Sequence, residues 1–245
     1  MAVCRPWADE LSSAVGLPVP GVVAKLAPSG DKLELRVRGP NVMPGYWRQE
    51  ALTRAAFDEE GFYCMGDAVR AADIRDFSRG LVFDGRIKED FKLSTGTWVS
   101  VGPLRARILA HFAPYVRDVV IAGHDRAHVG MLIVPDVDAC RTLCPDLPQR
   151  AQASAVLAHD RVAECLRALL SSFASGATGS ATKLERAIIL VEPPSLDAGE
   201  ITDKGSLNQR AILDRRSSLV EALYASEPPP HVITVFKGVP SHERR

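Results

Sequence analysis

One stretch of this 245-residue chain reads Tyr63-Cys64-Met65-Gly66-Asp67, then Leu81-Val82-Phe83-Asp84-Gly85-Arg86, and then Phe91-Lys92-Leu93-Ser94-Thr95-Gly96. An aspartate, an arginine and a lysine follow in that order, each beside or near a glycine and between short apolar runs. Glycine permits the tight turns at which strands end and polar side chains can meet. This order is typical of a site for a nucleotide or another small molecule.

The residues before this stretch predict short strands. Lys32 to Arg38 alternates strictly between polar and apolar residues, which places its three apolar side chains on one face of a half-buried strand. Glu50 to Phe57 is typical of a short helix. Tyr63 to Val69 and Gly80 to Phe83 are typical of a strand pair joined by a polar loop. Residues 1–86 are therefore expected to form a small, mostly β subdomain.

Beyond Arg86 helices and strands alternate. We expect residues 87–227 to form a compact α+β domain, so that the fold class of the chain is α+β, and residues 228–245 to form a loose, proline-rich and basic tail. The predicted elements are a helix over Pro103 to Phe112, strands over Val116 to Ala122 and Val129 to Val134, a long helix over Ala151 to Phe173, a strand over Ala187 to Val191, and a second amphipathic helix over Ser206 to Tyr224.

Composition excludes several classes of protein. Thirty basic residues balance thirty acidic ones, so that no net charge attracts the chain to nucleic acid or to an anionic membrane. The longest apolar runs are far shorter than the roughly 20 residues that cross a bilayer, so no membrane span is expected. The five cysteines follow no disulfide framework and no signal peptide precedes them, which predicts a reduced, cytoplasmic setting.

Asp67 and Arg86 each allow two interpretations from the residues alone. Asp67 follows a glycine at the end of a predicted strand, where a carboxylate can accept two hydrogen bonds from a ribose diol; it could equally cap a turn. The planar guanidinium of Arg86, beside Gly85, could reach a ribose hydroxyl or a phosphate, or it could simply be solvated.

Three lysines are further candidates. Lys204 lies in Gly199-Glu200-Ile201-Thr202-Asp203-Lys204-Gly205, which we predict to be a polar loop between a strand and a helix. A flexible lysine there suits the negative charge that develops on a carboxylate and an α-phosphate. An ordinary loop lysine is the alternative. Lys88 could be a linker residue chosen for solubility, and Lys92 stands near the predicted domain boundary.

Cysteines and histidines offer a weaker signal. Cys140-x-x-x-Cys144 lacks the second cysteine or histidine pair that would complete four zinc ligands, so no metal site is predicted. His124 and His128 flank a predicted hairpin turn and are expected to face solvent. Residues 176–179 contain two glycines but no Gly-Lys-Ser ending, which leaves a linker or part of a coenzyme A path as alternatives.

Taken in order, these motifs closely resemble the distal half of the acyl-adenylate-forming (AMP-binding) superfamily, which includes acyl-CoA synthetases, luciferases and peptide-synthetase adenylation domains. Residues 40–47, 90–99 and 200–204 look most like the feruloyl-CoA synthetases. Two positions depart from the family pattern. Met65 replaces the threonine usual before Gly-Asp, and glycine follows Lys204 where the family usually has it before the lysine.

The resemblance implies a role for each candidate residue. Asp67 holds the ribose of the adenylate and Arg86 supports it. Lys88 is the hinge about which the C-terminal domain turns between its adenylating and thioester-forming poses. Lys92 faces the active site in the second pose, and Lys204 assists adenylation.

The resemblance also implies the reaction and its cofactors. An intact enzyme of this kind activates a hydroxycinnamate, such as ferulate, with ATP and Mg²⁺ as acyl-AMP and passes the acyl group to coenzyme A. The family's phosphate loop, its adenine- and Mg²⁺-contacting segment and its acyl pocket have no counterpart in these residues. We therefore expect the C-terminal part of a ligase, inactive alone, with a separate N-terminal half as a possible partner.

Two other classes stay open. The first is a non-catalytic module, either a truncated product or a partner domain of an AMP-binding protein. The second is a thiol- or metal-dependent protein that uses Cys140 and Cys144. A nucleotide and an acyl acid are the small molecules expected in the leading interpretation, and nucleic acid is not an expected partner.

Overall fold

The computed structural model describes residues 3–4 and 14–235. The chain divides into two compact units, Met1–Asp90 and Phe91–Arg245. The first unit is mostly β-sheet and the second mixes helices with a sheet, which confirms the predicted α+β class. Among the described residues, every helix is too short or too polar to cross a lipid bilayer.

The first unit is built on a six-stranded antiparallel sheet with the strand order β1-β2-β6-β5-β4-β3. Its small apolar core centres on side chains from β4, β5 and β6. The elements are β1 (Val3–Cys4), β2 (Ala14–Pro18), β3 (Val23–Ser29), β4 (Lys32–Arg38), α1 (Glu50–Ala56), β5 (Tyr63–Ala71), a 3-10 turn (Phe77–Arg79) and β6 (Leu81–Arg86).

The alternation in β4 is only partly realised. Leu35 and Val37 are buried at 2% exposure each, as predicted, whereas Leu33 is 37% exposed. A register shift between Glu34 and Arg36 interrupts the ladder with β5, and such a bulge disrupts strict two-residue periodicity. The opposite face of β4 buries the charged side chains of Lys32 and Glu34.

The second unit places helices on both faces of a four-stranded sheet with the order β12-β11-β10-β9. Strands β10 and β11 are parallel, and the other pairs are antiparallel. The elements are β7 (Phe91–Lys92), β8 (Trp98–Val99), α2 (Val101–Phe112), β9 (Val116–Ala122), β10 (Val129–Pro135), α3 (Val137–Arg141), α4 (Ala153–Leu157), α5 (Asp160–Ser175), β11 (Leu184–Ile189), α6 (Gln209–Arg215), α7 (Ser217–Tyr224) and β12 (Val232–Thr234).

Two hydrophobic clusters cover the two faces of this sheet. On one face, Val119 and Ile121 of β9 join a cluster with buried residues of α2 and α5. On the other face, Val120 and Ala122 join a cluster with buried residues of α6 and α7. Because alternate residues of a strand point to opposite faces, a strand covered by helices on both sides is apolar at nearly every position.

Both long predicted helices are broken. The helix predicted over 151–173 is α4 followed by α5, and His159 separates them with an extended backbone (φ −73°, ψ 134°) while its side chain accepts a hydrogen bond from the backbone N–H of Arg161. The helix predicted over 206–224 is α6 followed by α7, with Arg216 at the break. The apolar periodicity continues through both breaks, so it did not reveal them.

The segment expected to be a loose tail contains an ordered element. Val232–Thr234 forms β12, which pairs antiparallel with β11 at the edge of the sheet. Val232 and Ile233 are buried, so this strand completes the apolar core on that side. Residues 236–245 of the predicted tail lie outside the described residues.

Candidate active site

Asp67 and Arg86 face each other across neighbouring strands. They are paired residues in the antiparallel ladder of β5 and β6, and Nε of Arg86 lies 3.4 Å from Oδ1 of Asp67. Gly66 and Gly85 precede them with left-handed backbone angles (φ +73° and +94°), which favour glycine. Asp67 and Arg86 are far apart in sequence, but the pairing of β5 with β6 brings them together at one end of the strand pair.

The carboxylate of Asp67 has an unused hydrogen-bond acceptor. Its Oδ1 atom is buried but accepts no hydrogen bond in the structure. Burial raises the pKa of Asp67, and the nearby charge of Arg86 opposes that rise. Arg86 itself is exposed, with 63% of its side chain accessible. A buried acceptor beside an accessible guanidinium fits a ligand that carries a hydroxyl donor and negative charge, as AMP does.

Asp58 holds the turn that leads into β5. Its Oδ1 accepts hydrogen bonds from the backbone N–H groups of Phe62 (2.9 Å) and Glu60 (3.1 Å), and its Oδ2 accepts from Arg36 (3.1 Å) and Lys25 (3.3 Å). The Phe62 bond, with those from the two cations, lowers the pKa of Asp58 to about 2. Sequence analysis did not identify this carboxylate, because its partners Arg36 and Lys25 lie far from it in sequence.

Lys88 lies in the exposed turn that follows β6. Two residues later, Asp90 forms a buried ion pair with Lys32, whose Nζ lies 2.6 Å from Oδ2 of Asp90 and donates a hydrogen bond to the backbone carbonyl of Asp84 (2.7 Å). Lys88 is therefore flanked by a strand on one side and by an anchored carboxylate on the other. Its predicted role as a hinge stays a prediction.

Lys92 lies at the start of the second unit. It is exposed, and its Nζ stands 5.0 Å from the centre of the Trp98 ring across the β7–β8 ladder, within the range of a cation–π contact. The neighbouring Phe91 is buried against Gly123, where an added Cβ would lie 2.8 Å from the Phe91 ring. This packing anchors the strand that carries Lys92.

Lys204 lies at the tip of a short hairpin rather than in an open loop. Ile201 pairs with Leu207, Thr202 N–H donates to the carbonyl of Ser206 (2.8 Å), and Gly205 N–H donates to the carbonyl of Thr202 (2.8 Å). Gly205 takes the left-handed conformation (φ +79°) that this turn requires. We call residues 201–207 the Lys204 hairpin. The lysine side chain is exposed, as expected.

A buried ion pair lies at the base of the Lys204 hairpin. Glu200 is fully buried, and its carboxylate accepts two hydrogen bonds from Arg216 (2.8 and 2.9 Å) and one from the backbone N–H of Ser195 (2.8 Å). The Arg216 bonds, with that of Ser195, lower the pKa of Glu200 to about 2. Sequence analysis placed Glu200 within the motif but assigned it no role, and it did not identify Arg216.

The cysteine pair is part of the apolar core. Cys140 and Cys144 are both buried, and their thiols donate to the backbone carbonyls of Tyr115 (3.6 Å) and Cys140 (3.7 Å), respectively. Burial raises the pKa of Cys140 to about 11, which disfavours the thiolate that metals and electrophiles require. In the described part of the chain, no three His, Cys, Asp or Glu side chains are grouped as a metal site would need.

The two histidines of the β9–β10 turn differ. His124 is exposed, as expected, but the prediction for His128 was wrong, because only 17% of its side chain is accessible and its ring packs 5.1 Å from that of Tyr224. Burial lowers the pKa of His128. His128 lines an open cavity of about 380 Å³ together with Thr178 and Gly179, so that part of the glycine segment 176–179 borders this cavity.

Residues 89–228 match the sequence family described as the AMP-binding enzyme C-terminal domain. The chain belongs to this family. The match confirms the coarser part of the predicted function, the C-terminal domain of an AMP-binding enzyme. The family's description names AMP binding.

Curated relatives of this AMP-binding chain include ligases of fatty acids. The long-chain-fatty-acid–CoA ligase FadD15 of Mycobacterium tuberculosis is 31% identical over 222 residues, which cover 89% of this chain and 35% of FadD15. The long-chain-fatty-acid–[acyl-carrier-protein] ligase AEE15 of Arabidopsis thaliana is 26% identical over 240 residues, which cover 91% of this chain and 31% of AEE15. The chain spans about a third of the length of these relatives.

Solved structures agree on the fold. The A domain of a carboxylic acid reductase from Segniliparus rugosus, in complex with AMP and a co-purified carboxylic acid, has a TM-score of 0.60 and 25% identity, over 85% of this chain and 32% of that one. MatB from Rhodopseudomonas palustris, bound to ATP, has a TM-score of 0.55 at 21% identity, over 86% of this chain and 37% of MatB, which shows the fold alone.

Proposed function

We propose that this chain supplies the C-terminal part of an acid–thiol ligase. In the proposed reaction a carboxylate oxygen attacks the α-phosphorus of ATP, the bond to pyrophosphate breaks, and acyl-AMP forms. A thiolate sulfur of coenzyme A then attacks the acyl carbon, and AMP leaves. The observation that supports this proposal most directly is the buried, unused Oδ1 of Asp67 directly opposite Arg86.

Asp67 and Arg86 are proposed to hold the ribose of AMP. An ionised carboxylate accepts hydrogen bonds only, so Asp67 can receive them from ribose hydroxyls, and this would satisfy its unused oxygen. Arg86 can add donors in a planar fork while balancing the charge of the carboxylate. Met65 stands where the family usually has threonine. Gly66 and Asp67 nevertheless follow it in β5, and Asp67 pairs with Arg86.

Asp67→Asn is expected to weaken AMP binding about tenfold and at the same time to stabilise the first unit by up to about 1 kcal/mol, because a buried charge that lacks a hydrogen bond is costly. Folded Asp67 holds its proton more tightly than unfolded Asp67, whose pKa is near 3.8. Wild-type stability should therefore fall as pH rises through these two pKa values, and Asp67→Asn should lack that component of the fall.

Thermal unfolding of the full chain between pH 3.5 and 7 measures the stability effect. AMP affinity is measured by titration of a chimera in which this chain replaces the part of FadD15 that it matches. Asp31→Asn, which makes the same chemical change at an exposed turn position, is the control. Loss of stability in Asp67→Asn with unchanged AMP affinity would show that the carboxylate has a structural role only.

The three lysines are proposed to act at different stages. Lys204 contributes positive charge as negative charge develops at the α-phosphate during adenylation. Lys88 is the proposed hinge near the boundary of the proposed domains 1–86 and 87–227. Lys92 is proposed to face the active site during thioester formation. Mg²⁺ is proposed to accompany ATP in the complete enzyme.

The acyl acid is proposed to be a hydroxycinnamate. The support is the resemblance of residues 40–47, 90–99 and 200–204 to feruloyl-CoA synthetases. A long-chain fatty acid is the second candidate, because FadD15 and AEE15 are named as ligases of such acids.

A full-length enzyme that carries this chain is expected to release AMP faster with ferulate than with palmitate at equal concentration. The comparison is made by AMP release in the presence of ATP, Mg²⁺ and coenzyme A. A preference for palmitate would identify a fatty acid, and not a hydroxycinnamate, as the acyl substrate. The proposal that the protein is a ligase would stand.

The ligase proposal is tested with a chimera in which this chain replaces the part of FadD15 that it matches. With a long-chain fatty acid, ATP, Mg²⁺ and coenzyme A, the chimera is expected to form acyl-CoA, whereas this chain alone is expected to release no pyrophosphate. A folded chimera that forms neither acyl-AMP nor acyl-CoA would overturn the proposal and favour a non-catalytic module of an AMP-binding protein.

A further inference from the structure

We propose that Glu200 and Gln209 are positioning residues that fix the Lys204 hairpin from both of its ends. The inference rests on the proposed function of Lys204. For Lys204 to act as proposed, the backbone on both sides of the hairpin must be held against the rest of the second unit.

The first anchor is Glu200, directly before the hairpin. Its carboxylate is held by the guanidinium of Arg216, which also donates to the backbone carbonyls of Glu192 (2.8 Å) and Pro193 (3.2 Å). Arg216 therefore joins the segment before the hairpin to the break between α6 and α7. The carbonyl of Glu200 in turn accepts from the backbone N–H of Asn208 (2.9 Å), which closes the base of the hairpin.

The second anchor is Gln209, the first residue of α6. Its side-chain amide is buried, its Oε1 accepts from the backbone N–H of Ile121 (3.0 Å), and its Nε2 donates to the carbonyl of Val119 (3.0 Å). Strand β9 is an edge strand of the four-stranded sheet, so these backbone groups point away from β10. The amide of Gln209 thus satisfies one donor and one acceptor of β9, as a neighbouring strand would.

Both anchors are buried polar side chains. In the described part of the second unit, the buried polar or charged residues are Glu200 and Gln209. A buried polar group is costly unless it is fully hydrogen-bonded, and an apolar side chain would often stabilise a fold equally well. Glu200 directly precedes the Lys204 hairpin, and Gln209 follows it with Asn208 between. Their bonds restrict the hairpin backbone before any substrate binds, which lowers the entropic cost of placing the lysine charge.

Hydrogen–deuterium exchange on the full chain tests the anchoring. The reference is wild type in enough urea to give it the same free energy of unfolding as the variant. In Glu200→Gln and in Gln209→Leu, the amides of Thr202 and Gly205, which donate within the hairpin, are expected to exchange about tenfold faster or more than in this reference, whereas amides of the central strand β10 should exchange as they do in the reference. Glu164→Gln, at an exposed position on α5, is the matched control and should change neither group.

Unchanged protection of Thr202 and Gly205 in both variants would overturn the proposal. So would hairpin exchange no faster than in the urea-matched wild type, because general destabilisation would then explain it. Arg216→Lys keeps the positive charge but loses the planar fork, and it serves as a milder variant if Glu200→Gln fails to fold. The same local loosening is expected, and its absence would also count against the anchoring.

The chimera provides a second readout, because a positioning residue acts only through the lysine that it positions. Glu200→Gln is expected to lower kcat for adenylation about tenfold with little change in the KM for ATP. In a Lys204→Ala background, the same substitution should have no further effect on adenylation.

An equal effect of Glu200→Gln in both backgrounds would overturn the positioning role. If Lys204→Ala leaves adenylation intact while the exchange results hold, the proposed role of Lys204 fails and the anchoring of the hairpin stands.

Discussion

Lys204→Ala is expected to slow acyl-adenylate formation by about 100- to 1,000-fold in the FadD15 chimera, because a preorganised donor that meets developing charge contributes on that scale. Transfer of the acyl group from supplied acyl-AMP to coenzyme A should change little, because that step builds no charge on an attacked α-phosphate. Pyrophosphate release measures the first half-reaction, and acyl-CoA formation from synthetic acyl-AMP measures the second.

Two further variants sharpen this expectation. Lys204→Arg keeps a positive charge at the hairpin tip and should retain more adenylation activity than Lys204→Ala. Lys183→Ala removes another exposed lysine of the second unit, which pairs with Glu185 (3.1 Å), and should leave adenylation unchanged. Equal losses in both half-reactions would assign Lys204 to folding or docking, and full retention of adenylation by Lys204→Ala would exclude the proposed role.

Glu200→Gln is expected to lower the free energy of unfolding of the second unit by about 3 kcal/mol at pH 7, because it leaves the mostly buried guanidinium of Arg216 without its counter-charge. Urea unfolding followed by circular dichroism at 222 nm measures the effect. Six of the seven α-helices described belong to the second unit, so this signal reports mainly on it.

The stabilisation by Glu200 depends on pH. The pKa of Glu200 is lowered from 4.5 to about 2 in the folded chain. The stabilisation is therefore fully present above pH 4.5 and is lost as pH falls toward 2, since the unfolded chain takes up the proton first. The stability difference between wild type and Glu200→Gln should shrink over that range. A difference that stays constant from pH 7 to pH 2.5 would contradict the ion-pair explanation, and Glu164→Gln is the control.

Local patterns predicted the elements whose stability depends on near neighbours. The helix at Glu50, strand β4 and the β9–β10 hairpin follow from apolar periodicity and turn residues, both of which act over a few positions. The breaks at His159 and Arg216 were missed. His159 ends one helix and caps the next within an unbroken apolar pattern, and Arg216 is held by Glu200 through tertiary contacts.

In the candidate site, too, some features were predicted from sequence and others were visible only in the structure. The order of Asp67, Arg86 and Lys204 along the chain was part of the resemblance that predicted the AMP-binding family, and the family match over residues 89–228 confirms that family. Their supports were not visible, since each depends on a contact between residues far apart in sequence. Nothing adjacent to Gln209 in sequence indicates that its amide pairs with Val119 and Ile121.

Residue types and their order thus indicate the family to which this chain belongs, while tertiary structure decides which groups are brought together. Asp67 meets Arg86 only because β5 and β6 pair in one register. The Lys204 hairpin is anchored only because folding buries Glu200 and Gln209 among partners that satisfy them. The physical reason is desolvation: away from water an ionic or polar group must find specific partners, and the chain brings those partners together only when the whole unit folds.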